Sequence, residues 1–233
     1  MDFVYICRDG RNEELRYSIR SVMQNAPVNN IWVVGGKPLW YTGNYIYVDQ
    51  SLGKYENAKN NLRAIINDKR IPENFILMND DFFITRPIER IPVYHGGLLS
   101  HKAERYKEFR MAGAYTNILL ETDELLRSNG VANPLDYSIH VPMTINKLNL
   151  SFAVEIGGAI RSVYGNMNRI GGTKLPVDDV KVHAKSIVYP KSFDYLNNPL
   201  DIPFLSTSDY TFNNVYRYKL RHFNQRSPFE GRG

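Results

Sequence analysis

Two adjacent carboxylates, Asp80 and Asp81, follow the apolar run Phe75-Ile76-Leu77-Met78, with the amide of Asn79 between run and acids. Four apolar residues bounded by polar ones read as a buried strand, and ligands of open α/β sheets gather at the carboxyl ends of such strands. Two carboxylates there would repel each other unless a proton or a cation relieved them. A hard divalent ion, Mg²⁺ or Mn²⁺, is the economical relief, because Mg²⁺ takes one or two carboxylates and completes its shell with substrate phosphates. Asp80 and Asp81 are therefore metal-ligand candidates, with Asn79 beside them. The competing reading is a solvated turn or cap, for which Asn and Asp are favoured.

Other residues carry chemistry only in company. His140 is the best general-base candidate, since an imidazole near its unperturbed pKa takes a proton at neutral pH; an isolated histidine is also a common structural residue. Arg161 would hold a phosphate bidentately, or pair with Glu155 on its own helix. Asp178-Asp179 is a second acidic pair, with His183 nearby, but no apolar strand runs into it and Pro176 marks a loop. It reads mainly as a turn, with reserve ligands.

The elements that would position these groups follow from periodicity. Phe3 to Cys7 reads as a first buried strand, Arg8 to Asn12 as a loop, and Asn12 to about Gln24 as a helix with an apolar stripe at Leu15, Ile19 and Val22. Asn12 is its expected N-cap and Pro27 its stop. Ile31–Val34 and Tyr45–Val48 are further strands, with Gly35-Gly36 as a turn, and a helix over about 56–67 leads into the acidic strand. This alternation predicts a largely parallel α/β sheet with its loops at one edge. Downstream, the pattern predicts a strand within Tyr94–Leu99, helices over 102–111 and 115–128, a strand-like segment ending in His140, and a helix over Phe152–Tyr164 that Gly157-Gly158 weakens. An edge strand over Val180–His183 and a terminal helix over 208–222 complete it. The expectation is one domain over 1–233, with a ligand-binding half at 1–92 and a second half at 93–233.

With 233 residues and 43% hydrophobic content the chain can bury one substantial core. No run approaches the length needed to cross a bilayer and the N-terminus lacks a basic signal region, so a cytoplasmic protein without a membrane span is expected. The single Cys7 has no internal disulfide partner. A formal charge of +5 favours an anionic partner. Much of the excess lies in Arg217, Lys219, Arg221, Arg226 and Arg232, interleaved with Tyr216, Tyr218 and Phe223. Such a segment could suit nucleic acid, cations on phosphates and rings on bases, but an ordinary amphipathic helix and tail is the favoured reading, a charged face being the default for a surface helix.

Four blocks, Asp2-Phe3-Val4-Tyr5, Asn12-Glu13-Glu14-Leu15-Arg16-Tyr17-Ser18-Ile19-Arg20-Ser21-Val22, Ile31-Trp32-Val33-Val34-Gly35 and Met78-Asn79-Asp80-Asp81-Phe82-Phe83, resemble the first two regions of the Stealth proteins. That family includes capsule-polymer sugar-phosphate transferases and the animal N-acetylglucosamine-1-phosphotransferase. His140-Val141-Pro142, with Arg161 after it, resembles the third region, and Ser206-Thr207-Ser208-Asp209 loosely resembles the fourth. The first block departs from the usual Trp-Val-Asp-Gly, having Ile6-Cys7-Arg8-Asp9-Gly10, and the compact length is more similar to small phage and bacterial glycosyltransferases of the same core.

The resemblance implies a glycosyltransferase-A-like α/β fold, a Rossmann-type mostly parallel sheet flanked by helices, with a helical C-terminal part. It implies a metal-dependent transferase moving a sugar from a nucleotide diphosphosugar, UDP-sugar foremost, to a hydroxyl of a carbohydrate, a protein or hydroxymethylated pyrimidine in DNA. Asp81 would hold the metal with Asp80 as second ligand or support. Arg8, Asp9 and Gly10 would lie at the nucleotide, Gly10 allowing close backbone approach. Arg16 would contact the donor or serve an intrahelical salt bridge; Lys59, Asn60 and Arg63 would reach the donor sugar or phosphates, or serve helix solubility. The alternatives are sugar-1-phosphate transfer of the Stealth kind and a noncatalytic nucleotide- or glycan-binding module. Gly35-Gly36-Lys37 lacks phosphate-loop spacing, and no Gly-x-Gly-x-x-Gly follows the first strand, which argues against nucleotide triphosphatases and dinucleotide-dependent oxidoreductases.

Overall fold

The computed structural model describes residues 1–108, 113–177, 179–182, 202–218 and 220–231. Its main sheet is built from β1 (Asp2–Cys7), β2 (Asn30–Gly35), β3 (Asn44–Tyr47), β4 (Asn74–Asn79) and β7 (Met143–Asn146), in the order β3-β2-β1-β4-β7. β1 pairs in parallel with both β2 and β4, and β2 with β3. Phe3, Val4 and Tyr5 of β1 and Val33 and Val34 of β2 are wholly buried, as interior strands of a sheet covered on both faces must be. The fold is thus α/β with a mostly parallel, Rossmann-like sheet.

Helix α1 (Glu13–Asn25) follows β1, and α2 (Lys54–Asn67) connects β3 to β4. Asn12 caps α1 from a left-handed conformation (φ 45°), its side chain accepting from Leu15 N at 3.0 Å, a conformation that Asn tolerates. The chain steps outward from β1 through β2 to β3, and α2, packed on β2 and β1, carries it back. β4 is thereby laid on the other side of β1, so the strand order reverses between β1 and β4. Open α/β sheets bind ligands at that switch point, outside the carboxyl ends of the strands.

Immediately after Asp80-Asp81 comes β5 (Phe82–Ile84), antiparallel to β9 (Phe204–Ser206). One face of α1 fixes it: Ser18 Oγ bonds the Phe82 carbonyl, Ser21 Oγ accepts from Ile84 N at 3.0 Å, and Asn25 Nδ2 donates to Ile84 O at 2.8 Å. The spacing 18, 21, 25 is that of one helical face. Polar side chains thus replace a neighbouring strand, satisfying backbone groups that would be costly to bury alone. Beyond β9, α7 (Asp209–Tyr218) and a 3₁₀ turn (Leu220–His222) close a core of Phe83, Val182, Leu205, Val215, Leu220 and Phe223.

The chain forms two compact units: Met1–Ile91, His140–Ile145 and Val180–Gly233 make one, Pro92–Ile139 and Asn146–Asp179 the other. The second unit holds α3 (Leu99–Glu108), α4 (Ala114–Ser128), α5 (Lys147–Ile156) and α6 (Ile160–Met167) around Leu99, Ala103, Leu119, Leu126 and Ala159. A short parallel pair, β6 (Tyr94–His95) and β8 (Thr173–Lys174), belongs to it.

Several expected elements differ. The single helix over 152–164 is two, because Gly157 (φ 87°) and Gly158 (φ 72°) take conformations that end α5 before α6 begins. The segment before His140 is not a full strand: Leu135 makes only an isolated antiparallel bridge to Leu98, after which Tyr137 N donates to Ser162 Oγ and Ser138 N to Asp136 Oδ1. The strand lies past Pro142, as β7. Of 94–99 only Tyr94–His95 is strand, and Leu99 already opens α3. No helix among the described residues is long and apolar enough to cross a membrane.

Candidate functional site

The carboxyl ends of β1 and β4 are neighbours, with Ile6 opposite Asn79, and a cavity of about 450 Å³ opens there, within the first unit. β1 contributes Ile6, Cys7 and Arg8; β4 and its turn contribute Asn79, Asp80 and Asp81. Glu14 enters from α1 and His140 from the segment before β7, while Lys181, Ser208 and Asp209 line the side nearest β9. The last wall is α2, through Lys54, Asn57, Ala58 and Asn61, at the i, i+3, i+4, i+7 positions of one face.

Two glycines let the first loop cross the end of β2. A Cβ on Gly36 would meet Asp9 Oδ1 at 2.4 Å and Asp9 N at 2.5 Å, and one on Gly35 would meet Cys7 O at 2.2 Å. The Gly35-Gly36 pair therefore serves close backbone approach.

Among the described residues, four acids face three cations in the cavity: Glu14, Asp80, Asp81 and Asp209 against Arg8, Lys54 and Lys181. Arg8 bonds Asp209 through both terminal nitrogens, NH1 at 2.8 Å, and donates to Glu14 Oε2 at 3.2 Å, with its Nε 3.7 Å from Asp80 Oδ2. Asp80 Oδ2 also accepts from Asn12 Nδ2 at 2.6 Å. Lys181 Nζ stands 2.8 Å from Asp81 Oδ2. Thr207 Oγ1 donates to Glu14 Oε1 at 2.6 Å.

The anionic crowding is visible in proton affinity. Burial first, then repulsion from Asp81, pushes Asp80 up to about 6 against the help of Asn12 and Arg8. Burial likewise pushes Glu14 up to about 7, with Asp81, Asp80 and Asp209 adding and the Thr207 hydroxyl opposing. Asp209 is held below the usual carboxylate range by its bond to Arg8. A carboxyl near 7 can hold or release a proton at neutral pH, the property that general acid–base chemistry needs.

The residues also fit a divalent ion. Asp81 Oδ1 and Asn79 Oδ1 are buried oxygens with no hydrogen-bond donor among the described residues, a costly state that a hard cation would relieve. Among the described residues no three His, Cys, Asp or Glu side chains gather closely enough to hold an ion unaided. A metal here would thus draw the rest of its shell from a substrate's oxygens.

Of the residues singled out by sequence, Arg8, Asn79, Asp80, Asp81 and His140 meet in the cavity; His140 stands edge-on to Phe82, ring centroids 6.0 Å apart. Others do not. Arg16 stacks over Trp40 at 4.7 Å and pairs with Glu13 at 3.2 Å, so it serves packing and a surface bridge. Lys59, Asn60 and Arg63 lie off the lining face of α2, Arg63 donating to Asn60 at 3.2 Å. The solubility alternative suits these three, since the face of α2 that lines the cavity is that of Lys54, Asn57, Ala58 and Asn61. Asp9 and Gly10 are exposed and outside the lining, Asp9 against Gly36. Arg161 belongs to α6 of the second unit. Asp178, His183, Lys219 and Arg232 lie outside the described residues.

The basic, aromatic C-terminus also reads differently. Phe223 is buried and Tyr216 packs edge-on against Tyr17 at 4.9 Å, so neither ring is presented for stacking on bases. Sequence reasoning missed Lys54, Asn57, Asn61 and Lys181, which no local pattern marks. No protein-family model and no curated protein matches this chain, so the geometry of the cavity carries the assignment of function.

Proposed function

We propose that the protein is a metal-dependent glycosyltransferase of the glycosyltransferase-A kind, moving a sugar from a nucleotide diphosphosugar, UDP-sugar foremost, to a hydroxyl of a carbohydrate or protein acceptor. One observation carries this: Asp80 and Asp81 stand at the switch point of the sheet, in a cavity that also presents Arg8, Lys54 and Lys181. A diphosphosugar calls for both features, anionic oxygens to hold a cation and cationic side chains to hold phosphate. A divalent ion at Asp81 and Asn79, with Asp80 in support, would supply Lewis-acid neutralisation of the charge growing on the leaving diphosphate.

The chain's own residues do the rest. Arg8 is half exposed and can exchange Asp209 for a phosphate, its planar fork suiting either. Lys54 lies in the first turn of α2, whose cap residue Gly53 offers no side-chain hydrogen bond, so free backbone N–H groups and the lysine favour an anion together. Glu14, near 7, takes the acceptor hydroxyl's proton, and His140 on the same cavity is the second base candidate.

Titration calorimetry with a UDP-sugar and Mn²⁺ tests this. Asp81→Ala is expected to weaken donor binding by about tenfold or more, the worth of a charge-assisted contact. Equal donor binding by both proteins refutes the role given to Asp81.

A second reading, sugar-1-phosphate transfer of the Stealth kind, is favoured by one fact: six of the positions that resemble that family, Glu14, Asn79, Asp80, Asp81, His140 and Asp209, line one cavity, although Arg16 and Arg161 do not. Product analysis separates the two, since UDP release means sugar transfer and UMP release means sugar-phosphate transfer. Phe223 and Tyr216, packed against the protein, lend no support to a DNA acceptor.

A further inference from the structure

Among the described residues, Lys181 is the cation of the cavity that pairs with Asp81, the proposed metal ligand. Its ammonium lies 2.8 Å from Asp81 Oδ2, and backbone bonds fix both partners. Val182 N donates to Ser206 O at 2.9 Å and Ser206 N to Val180 O at 3.1 Å, holding Lys181 opposite Ser206; the next residue, Thr207, donates its N–H to Asp81 O at 3.2 Å. The side chains are only 19% and 13% exposed, so this is a preset pair and not a chance surface contact. Its partner oxygen, Asp81 Oδ1, is buried without a donor among the described residues. Half of the carboxylate is satisfied by the lysine and half is open.

A carboxylate held by an ammonium offers a weakened field to a second cation, and the two cations repel at that range. The lysine's flexible four-carbon stem lets the charge swing away without backbone movement. We infer that Lys181 is a built-in counter-ion to Asp81, which a divalent metal must displace, and that the displaced ammonium pairs with the donor's phosphates. This rests on the reading of Asp81 as a metal ligand. Metal and nucleotide then bind cooperatively: phosphate removes the metal's competitor, and by linkage the metal frees a phosphate ligand.

The test is Mn²⁺ affinity, read from the free-ion electron paramagnetic resonance signal, with and without UDP, in the wild type, Lys181→Met and Lys181→Arg. Without UDP, Lys181→Met should bind Mn²⁺ about tenfold more tightly than wild type, the worth of one charge-assisted contact, and UDP should improve its Mn²⁺ affinity less than it improves the wild type's. Lys181→Arg, which keeps the charge, should stay within about threefold of wild type without UDP. Lys181→Gln keeps a donor for Asp81 Oδ2 without the charge and carries the same expectation if the Met variant does not fold. Equal or weaker Mn²⁺ binding by the neutral variants without UDP, or an unchanged UDP effect, overturns the inference and leaves the metal site standing. Binding of Mn²⁺ by none of the proteins, with or without UDP, overturns both.

Discussion

Replacing Glu14 by Gln should make the protein more stable at pH 8, although the residue is buried and doubly hydrogen-bonded. Glu14 is raised from its ordinary 4.5 to about 7, chiefly by burial and then by the neighbouring carboxylates. An acid whose folded pKa is raised contributes its full stability below about 4.5 and loses it as pH rises through 7. The difference of 2.5 units corresponds to about 3 kcal/mol of penalty at pH 8. Glutamine stays neutral and keeps an acceptor for Thr207, but presents an uncharged group to Arg8, a contact of 3.2 Å with a half-exposed guanidinium worth about 0.5 kcal/mol. The net gain at pH 8 is therefore about 2–3 kcal/mol, shrinking to within about 1 kcal/mol near pH 4.5. Both tryptophans, Trp32 and Trp40, lie in the first unit. Urea unfolding followed by tryptophan fluorescence, in EDTA at a series of pH values from 4.5 to 8, thus reports on the unit that holds the site. Parallel pH profiles for the two proteins, or a variant less stable at pH 8, would refute the claim that buried anionic crowding governs this site.

Arg20→Ala should cost about 3 kcal/mol in the same assay, because Arg20 bonds both carboxylate oxygens of Glu230, at 2.8 and 2.6 Å, and the Glu230 side chain is fully buried; a loss below about 1 kcal/mol would show that Arg16, Arg226 and Ser227 suffice to hold it. On α2, Lys54→Ala should weaken UDP binding about three- to tenfold, whereas Lys59→Ala and Arg63→Ala should leave it within about twofold. The reverse order in titration calorimetry would mean that the donor approaches the other face of the helix.

The first half of the fold was legible because its signals are local. Phe3–Cys7, Ile31–Val34 and Phe75–Met78 are apolar runs between polar ends, Asn12 and Pro27 bracket α1, and the alternation of strand and helix dictates a parallel sheet. The second half was less so. The break at Gly157-Gly158 depends on two positive φ values, and the segment before His140 gave its hydrogen bonds to side chains distant in sequence.

By itself the sequence determined that two carboxylates and an amide end a buried strand beside the loop after β1, since strand order and side-chain type need no partner to be read. It also singled out His140 and Arg8, which the structure places on the cavity. Only the tertiary structure decided which face of α2 joins them, that Arg16 and Arg20 turn instead to Glu230, and that Lys181, 100 residues away, supplies the counter-charge to Asp81. Helix rotation and long-range pairing are fixed by packing and charge between segments that share no local pattern, so no reading along the chain contains them.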